Sequence, residues 1–438
     1  MADVLIVGAG LTGLSCARHL LAQNISVEII EAGDAVGGRV RTDVEDGFRL
    51  DRGFQILLTA YPEVQQQIDI AALHVSSFTP GASIRYGQRF HTLTDPWRVP
   101  SKAFTTLFDS TIPLADKLRI AKLRASVGKG SAGNLFTRPE SATLSHLRDL
   151  GFSSAAIERF FRPFFGGVFL EGELTSSSRW FEFLFRMFSG GESVLPKEGM
   201  QAIPQQLASA LPEGIVHLNS TVERYEPLKT AGRNAGVRVI LADSQALEAR
   251  AVVIATQGSA ARTIVAASTG RLALEDSVLS AGRNRTTTFY YAAEQSPTTE
   301  KLLWLNGEGR TAGPVNHACV VSNVAPSYAP PGAHLIAACV VGEAPLAEAR
   351  RIRLEDDVQE HLGHWFGADT VARWRLLGAY FIEEALPQHT YAEAMPRPRS
   401  IGPGVFLAGG YCATASINGA LASGRATAEA VLPQLLQS

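Results

Sequence analysis

One short stretch of this chain has residue types and spacing suited to holding a phosphate: Gly8-Ala9-Gly10-Leu11-Thr12-Gly13, followed further on by Glu31 and Ala32. Gly8 permits a tight turn, Gly10 lets a pyrophosphate approach backbone N–H groups, and Gly13 lets a helix and a strand pack closely. A helix starting in this turn turns its positive end and free amides toward the phosphates. Glu31 stands where a carboxylate can accept hydrogen bonds from a ribose diol. The chemistry is dinucleotide binding, and this stretch by itself does not separate NAD from FAD.

Such a turn works only if the flanking elements fix it. Val4-Leu5-Ile6-Val7 is continuously apolar and β-branched, which predicts a buried parallel strand. Leu14 to Gln23 has helical periodicity, and Val27 to Glu31 reads as a second strand. Together they form one βαβ unit with its helix N-terminus at the glycines. Val252 to Thr256 gives another buried-strand signal, and Gly404 to Gly410 a short strand running into glycines. A small-residue helix is predicted from about Ile417 to Leu435.

Immediately after the acid comes Gly37-Gly38-Arg39-Val40-Arg41-Thr42, and here the chain resembles the FAD-dependent amine oxidase superfamily. The resemblance is to its protoporphyrinogen oxidase and phytoene desaturase-like branch. It implies that Gly38 and Arg39 extend the phosphate cradle, with a planar guanidinium suited to the pyrophosphate. It also implies that Asp51-Arg52-Gly53-Phe54-Gln55 passes near the flavin ring and that the backbone of Val222 reads the adenine. Phe406 to Gly409 with Ser416-Ile417-Asn418 and the segment through Arg425 resembles the C-terminal flavin motif, where a helix N-terminus faces the ring or ribityl chain. Leu195 to Met200 resembles the family's Pro-x-x-Gly-Met segment. One departure stands out: an acidic residue usual in the family after Gly409 is replaced by Gly410.

The implied fold is α/β, α+β overall. It has a Rossmann-like FAD-binding domain of the glutathione-reductase/amine-oxidase type and an inserted, mixed sheet-and-helix substrate domain. Residues 1–58, 190–260 and 389–438 would form the discontinuous FAD-binding domain, and 59–189 and 261–388 the substrate domain. The implied activity is that of an FAD-dependent oxidoreductase that dehydrogenates an apolar or conjugated small molecule, with oxygen or a quinone as acceptor. Amine oxidation, a redox-neutral isomerase or mutase reaction, and a non-catalytic FAD-containing scaffold are the alternatives. Amine oxidases commonly use a lysine near the flavin, and the strand Arg285 to Ala292 contains none. Gln55 and Tyr411 are the candidate residues at the reacting face.

Outside these motifs, Arg159 to Phe169 and Trp180 to Phe188 are crowded with aromatics. They suit a pocket for a flat or polyene-like substrate, a core between two helices, or a face touching a membrane. Arg159, Arg162 and Arg186 are candidates to pair with substrate carboxylates, or to serve in structural ion pairs. His361 and His364 lie three apart with no legible third ligand, so no metal site is expected.

The 438 residues carry 40 Lys and Arg against 42 Asp and Glu, a balance that gives no basic surface for nucleic acid. Four scattered cysteines, Cys16, Cys319, Cys339 and Cys412, fit free thiols in a reducing compartment. With no signal-peptide layout and no long apolar run, a cytoplasmic location is expected, either free or peripheral to a membrane.

Overall fold

A computed structural model of the chain describes residues 2–230, 233–269, 282–388 and 399–436. The expected start of the last FAD-binding piece, residue 389, lies outside the described residues. The fold is mixed α/β, and two sheets organise it. Strand β1 (Val4–Val7), helix α1 (Leu11–Leu21) and strand β2 (Val27–Ile30) form the anticipated βαβ unit. Their sheet has six strands among the described residues, in the order Val216–His217, β2, β1, Ala251–Ile254, Val405–Leu407 and Ser400–Gly402. All neighbours are parallel except the last pair.

The unbroken apolar run of β1 follows from burial on both faces. Val4 and Ile6 pack with Leu14 of α1, whereas Leu5 and Val7 pack with Val237 and Val239. The latter belong to a three-stranded antiparallel sheet covering the opposite face, which contains Val222–Thr230, Arg233–Leu241 and Ala246–Ala249. The C-terminal helix, Ile417–Leu436, closes the first face by lying along α1.

The second sheet has seven strands, ordered Arg375–Pro387, Arg283–Ala293, His334–Val341, Val315–Val320, Leu303–Asn306, Gly81–Tyr86 and Arg89–Thr94. One face is covered by helix Glu348–Phe366 through Leu354, Val358, Leu362 and Trp365. The other face contributes Tyr290, Leu305 and Cys319 to the main core.

The aromatic segments fill that core. Phe161, Phe165, Trp180, Phe181 and Phe183 are all buried, and the Phe165 and Phe181 rings meet edge to face at 4.7 Å. Of the three readings open at the sequence level, packing between helices holds for these side chains. The stretch from Leu144 to Phe165 is helical in pattern but is broken in the structure. Thr143–Asp149 ends before Gly151, which has φ +81°, and a new helical run starts at Ser154 behind the Ser153 cap. Leu107 to Leu123 is likewise divided, because Pro113 starts helix Leu114–Val127.

Candidate active site

The glycine turn has the geometry its spacing predicts. Gly8 has φ +106°, and its N–H donates to Ile30 O at 2.8 Å. A Cβ on Gly13 would lie 2.0 Å from Gly8 O, so any side chain there would push α1 off the strand. A Cβ on Gly10 would meet nothing within 4 Å, which leaves open space in front of the turn. The N–H groups of Gly10 and Thr12 have no hydrogen-bond partner among the described residues, and no acid stands in the first turn of α1. Free donors at a positive helix end, facing open space, are what an anionic pyrophosphate requires.

Glu31 closes the turn from behind. Its Oε2 accepts from Ala9 N and its Oε1 from Gly33 N, each at 2.7 Å. Each oxygen keeps a lone pair for a ribose hydroxyl. Asn219 N and Ser220 N donate to Gly33 O and Glu31 O, bringing the buried Val222 strand to the same corner, while Ala32 is exposed.

The arginine loop docks directly on the turn. Gly37 forms a parallel bridge with Gly10, and its N–H donates to Ala9 O at 2.9 Å. Gly38 has φ +58°, and a Cβ there would stand 3.5 Å from Gly10 Cα. Arg39 donates from Nη1 to Ala385 O at 2.7 Å, and its own carbonyl accepts from Gln55 Nε2 at 3.0 Å. Burial lowers the pKa of this guanidinium, against the pull of Glu384 and Tyr411. Gly53, at φ +92°, turns the chain so that Phe54 N can donate to Thr288 Oγ1 at 3.2 Å.

The C-terminal helix supplies a second free N-terminus. Ser416 caps it by accepting from Gly419 N at 3.0 Å, and Ala420 N donates to Ser416 O. The amides of Ile417 and Asn418 are left without partners among the described residues. Gly409 is fixed by donation of its N–H to Ser423 Oγ at 2.9 Å. The Asn418 side chain accepts from Glu63 N at 3.0 Å through Oδ1 and ties the helix to Pro62–Gln67. At Gly410 a Cβ would make only an ordinary 3.8 Å contact with Pro387, so sterics do not explain the missing acid.

One expectation is corrected. Tyr411 is 5 % exposed and packs with Val7, Ile254 and Leu407 on the antiparallel-sheet side, its hydroxyl 3.5 Å from Ile254 O. Burial, with Cys412 beside it, pushes its pKa up against the pull of Arg39. The three arginines are structural. Arg159 donates to Thr111 O and Tyr86 OH, Arg162 to Glu158, and Arg186 to Val127 O and Gly130 O. His361 is buried with Val315 N 3.1 Å from its Nδ1. Among the described residues no three His, Cys, Asp or Glu side chains gather as metal ligands, and all four cysteines are buried and outside any disulfide.

Sequence reasoning missed Thr288, Ala385 and Tyr61, whose phenol lies beside Ser416. Thr288 had a faint signal in the alternation of its strand, but Ala385 acts through its carbonyl, which no residue type announces.

The profile of the family described as flavin containing amine oxidoreductase matches residues 11–432, nearly the whole chain. The chain belongs to that family. It is 25% identical to protoporphyrinogen oxidase 2, chloroplastic/mitochondrial, of Arabidopsis thaliana over 166 residues, covering 38% of this chain and 32% of the relative. It is 29% identical to putrescine oxidase of Kocuria rosea over 283 residues, 58% of this chain and 56% of the relative. The matched regions thus span about one third and just over half of these relatives' lengths. An oxidoreductase from Methanosarcina mazei superposes with a TM-score of 0.73 at 19% identity, over 97% of this chain and 99% of that one, which shows the shared fold. FAD is the cofactor of this flavin-dependent oxidoreductase family member, and the two free helix ends, the open space at Gly10 and Arg39 fit it.

Proposed function

We propose that the chain dehydrogenates an uncharged, apolar or conjugated small molecule, porphyrinogen- or polyene-like, and is reoxidised by oxygen or a quinone. The observation that carries this reading is a row of side chains across the seven-stranded sheet: Leu305, His317, Cys339 and Thr288 are successive register partners. None is an acid or a lysine, and Thr288 and His317 lie against Phe54. A face of this kind favours an uncharged substrate, since a buried cation needs a paired anion.

When bound, FAD would supply the two-electron oxidant for the dehydrogenation. Gly10 to Thr12 and Arg39 would hold the pyrophosphate, Glu31 the ribose, Val222 the adenine corner, and the Ile417 and Asn418 amides the ring or ribityl oxygens. Gly38, Gly53 and Gly409 would let the backbone pass close to it, and Gln55 would position Arg39. Residues 1–58, 190–260 and 389–438 would form the FAD half and 59–189 with 261–388 the substrate half, consistent with the strands each contributes to the two sheets. No helix among the described residues is long and apolar enough to cross a membrane. Peripheral contact would fall to the exposed Trp97, Leu114 and Leu118 rather than to the buried aromatic helices.

The test is anaerobic mixing of the FAD-loaded chain with porphyrinogens, carotenoid-type polyenes and amines, following loss of oxidised flavin absorbance. Bleaching by a conjugated, uncharged compound is expected. Bleaching by amines alone, with peroxide released in air, would overturn the reading in favour of the amine oxidation to which the putrescine oxidase similarity points. Conversion of substrate only after flavin reduction would point to a mutase.

A further inference from the structure

The strand Val315–Val320 carries a bulge between Val315 and His317, which takes Asn316 out of the ladder. Bulges re-aim side chains, and this one lets the Asn316 amide reach two groups at once. Its Nδ2 lies 2.9 Å from Pro163 O and 3.0 Å from His317 Nδ1. A carbonyl oxygen can only accept, so the nitrogen end of the amide is fixed there and its second hydrogen is directed at the imidazole. His317 Nδ1 is therefore the acceptor, and the neutral ring carries its proton on Nε2.

That Nε2–H has no hydrogen-bond partner among the described residues, although His317 is only 6 % exposed. The ring sits 5.6 Å from Phe54, centroid to centroid. Room for it comes from Gly167, where a Cβ would stand 2.9 Å from Nδ1. Nε2 is not one of the fully enclosed polar atoms that lack a partner, so the donor stays accessible and can take an acceptor. Burial also pushes the His317 pKa down to about 4, which keeps the ring neutral at physiological pH.

We propose that His317 is the polar anchor of the substrate pocket, its Nε2–H donating to an oxygen acceptor on an otherwise apolar substrate. The inference deepens the proposed function and rests on that reading for the location of the pocket. A carbonyl, hydroxyl or carboxylate oxygen satisfies the donor. An ammonium group does not, because it has no lone pair and meets another N–H.

The experiment titrates the oxidised, FAD-loaded full chain with three matched probes: 1-tetralone, tetralin and 1-aminotetralin below its pKa. Flavin absorbance perturbation reports binding. Tetralone is expected to bind roughly tenfold tighter than tetralin, the worth of one buried hydrogen bond, and 1-aminotetralin weakest. His317→Phe should bring tetralone and tetralin to parity, whereas His317→Gln, which keeps a donor near the Nε2 position, should restore part of the difference. An unchanged preference in His317→Phe, tightest binding of the ammonium probe, or no probe binding at all overturns the proposal. Nitrogen NMR of the wild-type chain gives an independent check, since a proton on His317 Nδ1 would also overturn it. If the probe preference stands while no conjugated compound bleaches the flavin, the anchor survives and the proposed reaction fails.

Discussion

Gly424 lies directly on Thr12: a Cβ at Gly424 would sit 2.3 Å from the Thr12 carbonyl oxygen and 2.7 Å from Ser15 Cβ. The last helix and the first therefore touch backbone to backbone beside the phosphate turn. Ser15 Oγ reinforces the contact, lying 2.9 Å from Leu421 O and 2.8 Å from Gln67 Oε1. Gly424→Ala should force the helices apart and cost about 1–3 kcal/mol, the usual range for an overpacked contact. Chemical denaturation of the apo and FAD-loaded forms measures this, and an unchanged midpoint would refute the contact.

Glu31→Gln replaces an acceptor with a donor facing either Ala9 N or Gly33 N, both now 2.7 Å from carboxylate oxygens. The phosphate turn should loosen and FAD affinity fall by about tenfold or more, since one charge-assisted bond of about 1.5–3 kcal/mol is lost. Fluorescence titration of apoprotein with FAD reads the effect directly. Equal affinity would show that Glu31 does not shape the turn.

Asp51 is 3 % exposed, and burial pushes its carboxyl up to about 6 despite bonds from Thr42 Oγ1, Met200 N and Tyr328 OH. Its folded pKa exceeds the unfolded value, so the folded chain binds more protons between about pH 4 and pH 6. The contribution of Asp51 to stability is then most favourable below pH 4 and is lost as pH rises through 6, by about 3 kcal/mol in all. Asp51→Asn keeps an acceptor for Thr42 and Met200 and should remove this slope. Urea melts of both proteins across that window decide it, with parallel profiles counting against the assignment.

Tyr411→Phe should leave substrate turnover within about twofold of wild type, because among the described residues the hydroxyl makes one long bond, at 3.5 Å to Ile254 O. Steady-state kinetics on the substrate that bleaches the flavin is the check. A large loss of kcat would return Tyr411 to the reacting face.

The contrast between Tyr411 and His317 shows what was legible in the sequence. The βαβ unit could be read because its strand, glycines and helix are neighbours in the chain, and each local preference agrees with the next. Tyr411 was placed by proximity in sequence to flavin-side glycines, but the short helical turn Gly410–Cys412 swings its ring to the other face of the sheet. His317 stands in an apolar strand with no motif around it. Its surroundings come from Pro163, Phe54 and Cys339, which register and a bulge bring together and no local pattern encodes. The aromatic helices carried the loudest composition signal and proved to be packing.

The packing of Gly424 on Thr12 also sets an order of events in synthesis. The amides at the start of α1 are made long before the helix that braces them and the Ile417 and Asn418 amides. A nascent chain presents α1 with its Leu421-facing side uncovered until helix Ile417–Leu436 has been made. A product truncated before Gly424 lacks this brace on α1 and is expected to take up FAD poorly.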